Sequence, residues 1–166
     1  MEPVDDQLRV STPEQYAALG HPMRLRLLFT LGQRPATTSQ LAAALGTNKG
    51  NVAHHLKMLC DAGLVRPAHE RRVRGGTERY FERAARRFDF AGEGLAEQTA
   101  LAMRTVGEDM AAAPVEPHVV LRQLRLSPAQ VEELTATLDR LAAELPEADE
   151  AQPRYGLLLG LYQHRS

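Results

Sequence analysis

The side chains best suited to bind another molecule lie between Asn48 and Lys57. Four polar residues recur there at helical spacing, and apolar residues occupy the opposite face: Lys49, Asn51, His54 and Lys57. Ammonium, amide and imidazole groups donate hydrogen bonds to phosphate oxygens and exchange hydrogen bonds with base edges. The pattern predicts a helix that packs on one side and presents a surface suited to nucleic acid on the other.

Two short helices joined by a tight turn would position this surface. Thr38 is expected to cap the first helix, which runs through Leu45, and Gly46 supplies the backbone freedom that the turn needs. Asn48 can then cap the second helix by accepting hydrogen bonds from its first free N–H groups. The inward positions of the second helix are Val52, His55, Leu56 and Leu59. This arrangement is the sequence form of a helix-turn-helix.

An arginine-rich segment follows the second helix, which Gly63 is expected to end. Two strand-like arms flank Gly75-Gly76, a dipeptide suited to a primed hairpin turn, and this pattern predicts a β-hairpin wing. Candidate contacts on the wing are Arg71, Arg72, Arg74, Thr77 and Arg79. In an arbitrary protein such arginines more often keep an exposed edge hairpin soluble. Their place directly after the helix-turn-helix favours binding.

Four segments, in order, resemble the ArsR family of winged-helix repressors: Ala18 to Leu28, Gln40 to Gly46, Val52 to Leu59 and Ala62 to Val65. The resemblance spans roughly residues 12 to 88. It implies a homodimeric transcriptional regulator, most simply a repressor, that binds an inverted-repeat operator in double-stranded DNA in a prokaryotic cytoplasm.

The resemblance also implies roles for single residues. Lys49, Asn51 and His54 become candidate base readers, and Lys57 becomes a phosphate contact. Thr38 and Ser39 of the first helix and Asn48 complete the candidate DNA-binding set. Gly50 departs from the small polar residue or proline that is more usual there, which leaves base preference at this point open.

Charge is partitioned along the chain of 166 residues although the overall net charge is −1. Residues 20–90 hold thirteen Lys or Arg against five Asp or Glu, a net charge of +8, whereas residues 91–166 carry a net charge of −6. This partition of charge is expected if the basic region neutralises the phosphates of a nucleic acid. The acidic remainder of the chain would then be repelled from the same phosphates.

The longest apolar run, residues 156–162, is too short to span a bilayer, and a single cysteine excludes an intrachain disulfide. We therefore expect a cytoplasmic protein with no membrane partner.

A long helix is expected from about Gly92 to Ala113. Its apolar stripe includes the candidate dimerisation residues Leu95, Met103, Val106 and Met110. The alternative is that this stripe merely covers the winged-helix core. Beyond it, segments 119–126 and 155–162 read as strands around an amphipathic helix.

The expected fold class is therefore mainly α with a small β wing (α+β). It comprises an N-terminal tail at 1–11, a winged helix-turn-helix at 12–90, a dimerisation helix at 91–113 and a β-α-β unit at 114–166. The last unit is expected to serve the dimer or a ligand.

The residue pattern supports no active site, cofactor or metal site. There is no nucleophile elbow or phosphate-binding glycine loop, and the first helix of the helix-turn-helix lacks the cysteine pair found in metal-sensing relatives. Cys60 is expected to pack rather than to act as a redox switch. Two questions stay open: whether a small-molecule effector exists, and whether the winged helix contacts another protein instead of DNA.

Overall fold

The computed structural model describes residues 4–90, 95–146, 148–149, 151–153 and 155–163, and it divides the chain into two units, residues 1–117 and 118–166. The first unit is a winged helix-turn-helix of the predicted α+β class. Its elements, in chain order, are β1 Asp5–Val10, α1 Pro13–Leu19, α2 Pro22–Leu31, β2 Ala36–Thr37, α3 Thr38–Ala44, α4 Lys49–Asp61, β3 Val65–Val73, β4 Gly76–Arg83, β5 Ala85–Phe90 and α5 Leu95–Ala111. The second unit contains α6, Pro128–Glu144.

Local capping signals set the boundaries of the helix-turn-helix. Gly46 lies between α3 and α4 with a φ of 61°, and Gly63 follows α4 with a φ of 70°. Such left-handed backbone is readily adopted only by glycine. The side chain of Asn48 caps α4, as predicted. The predicted turn and the end of the second helix are thus confirmed.

The core of the first unit is formed by one face of each helix. On α4, Val52, Leu56 and Leu59 are at most 2% exposed, and His55 is also buried. They pack in one cluster with apolar residues of α1, α2 and α3. Full burial of an aliphatic side chain contributes roughly 1.5–3 kcal/mol, so this stripe is the main anchor of α4.

A buried arginine joins the first two helices. The guanidinium of Arg24, on α2, donates to the carbonyl oxygens of Ala17 and Ala18 near the end of α1. It also lies 3.4 Å from the sulfur of Met58 on α4. These bonds satisfy carbonyl groups that a helix end leaves without intrahelical partners.

The wing is a three-stranded antiparallel sheet in the order β2-β4-β3. Val73 faces Gly76, so the central residues of the turn are Arg74 and Gly75. Gly75 has a φ of 106°, but no described residue other than glycine has a positive φ. Primed turns need a positive φ at the first central residue, which here is Arg74. The hairpin is confirmed, but the primed turn on Gly75-Gly76 was wrong, because the pairing of Val73 with Gly76 puts Arg74, which lacks a positive φ, at the first central position.

The predicted N-terminal tail is also wrong, because β1 pairs in parallel with β5. Val10 is fully buried in the core, and the hydroxyl of Tyr16 donates to its carbonyl oxygen at 3.0 Å. The partner strand lies eighty residues further along, as the pairing of Asp5 with Ala85 shows. Nothing local in residues 1–11 signals that pairing.

Helix α5 packs on the first unit through residues other than the predicted dimerisation stripe. Leu101 and Ala102 contact the core cluster, and Thr105 is 1% exposed. Met103 is 42% exposed, and Val106 and Met110 are half-buried. Leu95 begins α5, but its side chain lies outside the described residues. The described part of the stripe is therefore turned away from the core.

The predicted β-α-β unit does not form in the second unit. Helix α6 is present where it was expected, with Ser127 as its cap, but no strand occurs among the described residues of 118–163. Two lone strands are marginal in water, and both segments stay largely exposed: Val120 is 74% exposed and Tyr155 is 84% exposed. No described helix is both long and apolar enough to cross a membrane.

Replacing Val10 tests whether β1 is part of the folded unit. Val10→Ala should lower the free energy of unfolding by about 2 kcal/mol, because it removes buried methyl groups and leaves a cavity. Asp6→Ala, at a highly exposed position of the same strand, should change it by less than about 0.5 kcal/mol. Chemical denaturation monitored by circular dichroism measures both. Equal stabilities of Val10→Ala and the wild type would contradict a structural role for β1.

Candidate nucleic-acid interface

Helix α4 presents three cationic or polar side chains to solvent. Lys49 at its first position and His54 one turn further are exposed, and Lys49 has no ion-pair partner among the described residues. Lys57 is also exposed, but its ammonium group pairs with the carboxylate of Asp61. Such a surface pair at i, i+4 contributes only about 0.3–0.5 kcal/mol, so a phosphate could displace it.

The two predicted asparagine contacts of α4 serve its own structure. Asn48 Oδ1 accepts a hydrogen bond from the backbone N–H of Asn51 at 2.8 Å. Asn51 is half-buried, and its Nδ2 donates to Thr47 Oγ1 at 3.1 Å. Both amides therefore hold the turn before α4. Each retains some free hydrogen-bonding capacity, but neither is an unconstrained reader.

Helix α3 is capped by Thr37 and not by Thr38, which corrects the prediction. Thr37 Oγ1 accepts from the backbone N–H of Gln40 at 3.2 Å, and Gln40 Oε1 accepts from the backbone N–H of Thr37 at 2.9 Å. This reciprocal capping box was readable from the spacing of Thr37 and Gln40. Thr38 therefore occupies the first helical position, and the adjacent Ser39 is exposed.

An open groove of about 570 Å³ brings predicted residues of α3 and the wing together. Thr38 and Ser39 line one part of it, and Thr77 and Arg79 of β4 line another. The remaining lining residues are Thr37, Glu70, Glu78 and Phe81. The hydroxyl groups and Arg79 suit a phosphate backbone, whereas the two carboxylates reduce the positive charge of the groove.

The wing arginines fall into two classes. Arg71 pairs with Glu78 at 3.1 Å and lies 5.9 Å from the ring centre of Tyr80, and Arg79 pairs with Glu70 at 2.8 Å. Arg72 lies opposite Thr77 and Arg74 is in the turn, and neither has an acidic partner in the described part of the chain. The uncompensated positive charge of the wing is therefore concentrated near its tip.

Three histidines and Arg24 form a cluster where α2 meets α4. The ring centres of His21 and His55 are 4.5 Å apart, and those of His54 and His55 are 5.2 Å apart. Burial lowers the pKa of His55, and the neighbouring His21, Arg24 and His54 lower it further. Burial also lowers the pKa of His21, followed by the effects of Arg24 and His54. Both rings are therefore neutral near pH 7.

The remaining candidate groups give no sign of a reactive or metal-binding site. Burial raises the pKa of the Cys60 thiol, and the charge of Asp61 raises it further, so the thiolate is disfavoured. Among the described residues, no three His, Cys, Asp or Glu side chains are arranged to hold a metal ion.

Several positioning residues were absent from the predicted site. Thr47 anchors Asn51, and Arg24 ties α2 to both α1 and α4. His21 caps α2 by accepting from the backbone N–H of Met23 through Nδ1 at 3.1 Å. The cap was readable from the position of His21 before Pro22, but the contacts of Arg24 depend on tertiary packing.

Comparison with known proteins identifies a regulatory family and one partial relative. The family described as bacterial regulatory protein, arsR family, matches residues 21–66. The HTH-type transcriptional regulator NmtR of Mycobacterium tuberculosis is 35% identical over 63 residues, which cover 38% of this chain and 52% of the relative. The chain thus matches about half the length of that curated relative.

Two solved structures are also similar to part of the chain. The cadmium metal-sensor CMTR from Mycobacterium tuberculosis is 26% identical, and the match covers 70% of this chain and 99% of that one, with a TM-score of 0.38. The homodimeric winged helix-turn-helix domain of a possible ArsR-family regulator from Mycobacterium bovis is 25% identical, with coverages of 62% and 82% and a TM-score of 0.36.

The histidine cluster should make folding sensitive to mild acid. Because the pKa of His55 and of His21 is lowered in the folded chain, the unfolded chain binds protons more readily. Their contribution is complete above the ordinary histidine pKa of about 6.5 and is lost as the pH falls through the lowered pKa values. The free energy of unfolding should therefore fall between pH 7.5 and pH 5.5.

His55→Leu should flatten that pH dependence, because it removes the buried titrating ring. His118→Gln, at an exposed position in the second unit, should retain the wild-type slope. Thermal unfolding at a series of pH values measures the effect. If the stability of His55→Leu depended on pH as steeply as that of the wild type, the histidine cluster would not be the cause of the pH dependence.

Proposed function

We propose that this chain, whose residues 21–66 match the family described as bacterial regulatory protein, arsR family, is a transcriptional regulator that binds double-stranded DNA. Helix α4 enters the major groove, and the wing contacts the adjacent backbone. The observation that carries this proposal is the exposed positive charge of Lys49 on α4 and of Arg72 and Arg74 at the wing tip, within a segment of net charge +8.

The burial of α4 supports its proposed role. One side is fixed in the core by Val52, Leu56 and Leu59, so the opposite side projects at a fixed angle. Lys49 and His54 are the side chains of that exposed surface with most freedom to reach base edges. Asn51 acts mainly by holding the turn through Thr47, with its remaining hydrogen-bonding capacity available to the groove.

The α3–wing groove supports a backbone contact. Thr38 and Ser39 offer hydroxyl groups beside Thr77 and Arg79, and side chains of this kind commonly bind phosphate oxygens. Arg79 would exchange its bond to Glu70 for one to a phosphate, which costs little because the pair is exposed. These contacts would fix the register of the protein on the duplex without reading sequence.

We further propose that the regulator acts as a homodimer through α5. Support comes from Met103, Val106 and Met110, which share a face directed away from the core of their own unit. Pairing of this face with its copy would bury apolar side chains that a monomer leaves partly in water. Two α4 helices would then reach successive major grooves of an inverted repeat, with half-site centres about 10 bp apart. Blocking of a promoter, and hence repression, is the simplest outcome.

Substitutions in the wing should show that the unpaired arginines near its tip contribute more to DNA binding than the arginines that pair with carboxylates. Arg72→Ala should weaken binding to the operator and to unrelated duplex by the same factor and reduce the salt slope by about one, because one phosphate contact is lost. Arg71→Ala is the matched control, since Arg71 is already held by Glu78 and should change the slope less. Fluorescence anisotropy titrations across a salt series measure both. Identical slopes for wild type and Arg72→Ala would contradict a wing contact at this residue.

Substitutions on α4 should change sequence preference. Lys49→Ala with His54→Ala should reduce the preference for operator over unrelated duplex by about 5- to 150-fold, corresponding to 1–3 kcal/mol for a good base contact. Mobility shifts with the protein's own promoter fragments, followed by single-base variants, measure this. If the preference for operator over unrelated duplex did not change, α4 would not be the helix that recognises the base sequence. No binding of the wild type to any duplex at physiological salt would instead support a winged helix that contacts another protein.

A further inference from the structure

The second unit exposes many apolar side chains. None of its described residues, within 118–163, is buried. Along α6, Val131 is 39% exposed and Leu141 is 44% exposed, whereas Leu134 and Leu138 between them are half-buried, and Leu145 at the helix end is 56% exposed. A continuous apolar face on a helix indicates a surface that another element covers.

The apolar positions of α6 follow the repeat of a coiled coil. They alternate at spacings of three and four, namely Val131, Leu134, Leu138, Leu141 and Leu145. This is the a/d pattern of a helix that packs against an equivalent helix by inserting side chains between those of its partner.

We propose that α6 pairs with α6 of a second copy of this chain. The charges of the helix are compatible with an identical partner. Of the positions that flank the repeat, only Glu144 is charged, and the others are Gln130, Thr135, Thr137 and Ala142. The other acidic residues of the helix, Glu132, Glu133 and Asp139, lie at outer positions. Two copies can therefore meet in either direction without opposing like charges, which would otherwise disfavour the pair.

The length of α6 explains why this contact needs a second one. A helix of 17 residues is marginal in isolation, and so short a repeat associates weakly by itself. The sixteen residues 112–127, which separate α5 from α6, can span at most roughly 55 Å, so a dimer formed through α5 holds two copies of α6 within reach of each other. Tethering raises their effective concentration to the millimolar range. In this respect the inference rests on the proposed homodimer.

Disulfide trapping in the full-length chain tests the contact directly. Leu138 occupies an a position, so it faces Leu138 of the second copy in a parallel pair and a d position, Leu134 or Leu141, in an antiparallel pair. In a Cys60→Ser background, Leu138→Cys should form a disulfide-linked dimer under mild oxidation if the pair is parallel, because facing thiols can reach disulfide geometry. If the pair is antiparallel, one of the double variants Leu134→Cys/Leu138→Cys and Leu138→Cys/Leu141→Cys should form it instead. Ala136→Cys, on the outer face, is the matched control. Trapping of all three variants no faster than Ala136→Cys would overturn the proposal.

A second substitution measures the energetic effect without a disulfide. Leu138→Asp should raise the dimer dissociation constant at least about tenfold in sedimentation equilibrium, because it places charges inside the apolar contact. Ala136→Asp should leave the constant unchanged. Thermal unfolding of the first unit should be the same in both variants, since Leu138 lies in the second unit, and this confirms that the domain remains folded. An unchanged dissociation constant for Leu138→Asp would also overturn the proposal.

The failure of this inference is distinguishable from that of the proposed function. If operator binding and dimerisation persist while the three cysteine variants and Leu138→Asp behave like their controls, pairing of α6 is excluded and the regulator proposal stands. If one of the three cysteine variants is trapped efficiently but the wild type binds no duplex, pairing of α6 stands and the DNA proposal fails. Met103→Asp, which disturbs the proposed α5 contact, should weaken both dimerisation and trapping because it removes the tether.

Discussion

The structure of the first unit depends on the burial of one stripe of α4. Val52, Leu56 and Leu59 are removed almost completely from water, and each contributes roughly 1.5–3 kcal/mol. That burial fixes the rotation of the helix, so the exposed direction of Lys49 and His54 follows from the packing. Gly46 and the cap at Asn48 determine where the helix begins, and Arg24 holds α1 and α2 in the arrangement against which it packs. The buried apolar side of α4 therefore determines the direction in which its polar side faces.

Features encoded within a few residues were predictable from the sequence, and features created by distant pairing were not. Gly46, Asn48 and Gly63 act on their immediate neighbours, so the helix-turn-helix was placed correctly. The strand at residues 5–10 forms its backbone hydrogen bonds with a partner strand eighty residues away, so the local sequence does not reveal it. In the second unit, β propensity at residues 119–126 suggested a strand, but the structure provides no partner for it among the described residues. The wing turn lies one position earlier than predicted, because the strands pair Val73 with Gly76 and this register depends on the whole length of both strands.

The side chains of the candidate site also differ in whether the local sequence or the folded structure determines their properties. The polar face of α4 was evident from spacing, but spacing does not show which groups are already bonded within the protein. Asn51 is engaged by Thr47, Arg71 by Glu78 and Arg79 by Glu70. Among the candidate residues of the site, these contacts leave uncompensated charge at Lys49 and at the wing tip. The segment carries many cations, but only some of them are free of internal partners that a ligand would have to displace.

The pairing of β1 with β5 affects the order in which the domain can be completed during synthesis. Residues 5–10 leave the ribosome well before their hydrogen-bonding partner, residues 85–90, and this large sequence separation raises the contact order of the fold. The helices α1 to α4 and the wing can form from neighbouring segments while β1 still lacks its partner. Val10 can then join the core that these helices form. The segment at residues 5–10 thus acts as a late closure, which ties the integrity of the domain to synthesis of the chain at least as far as Phe90.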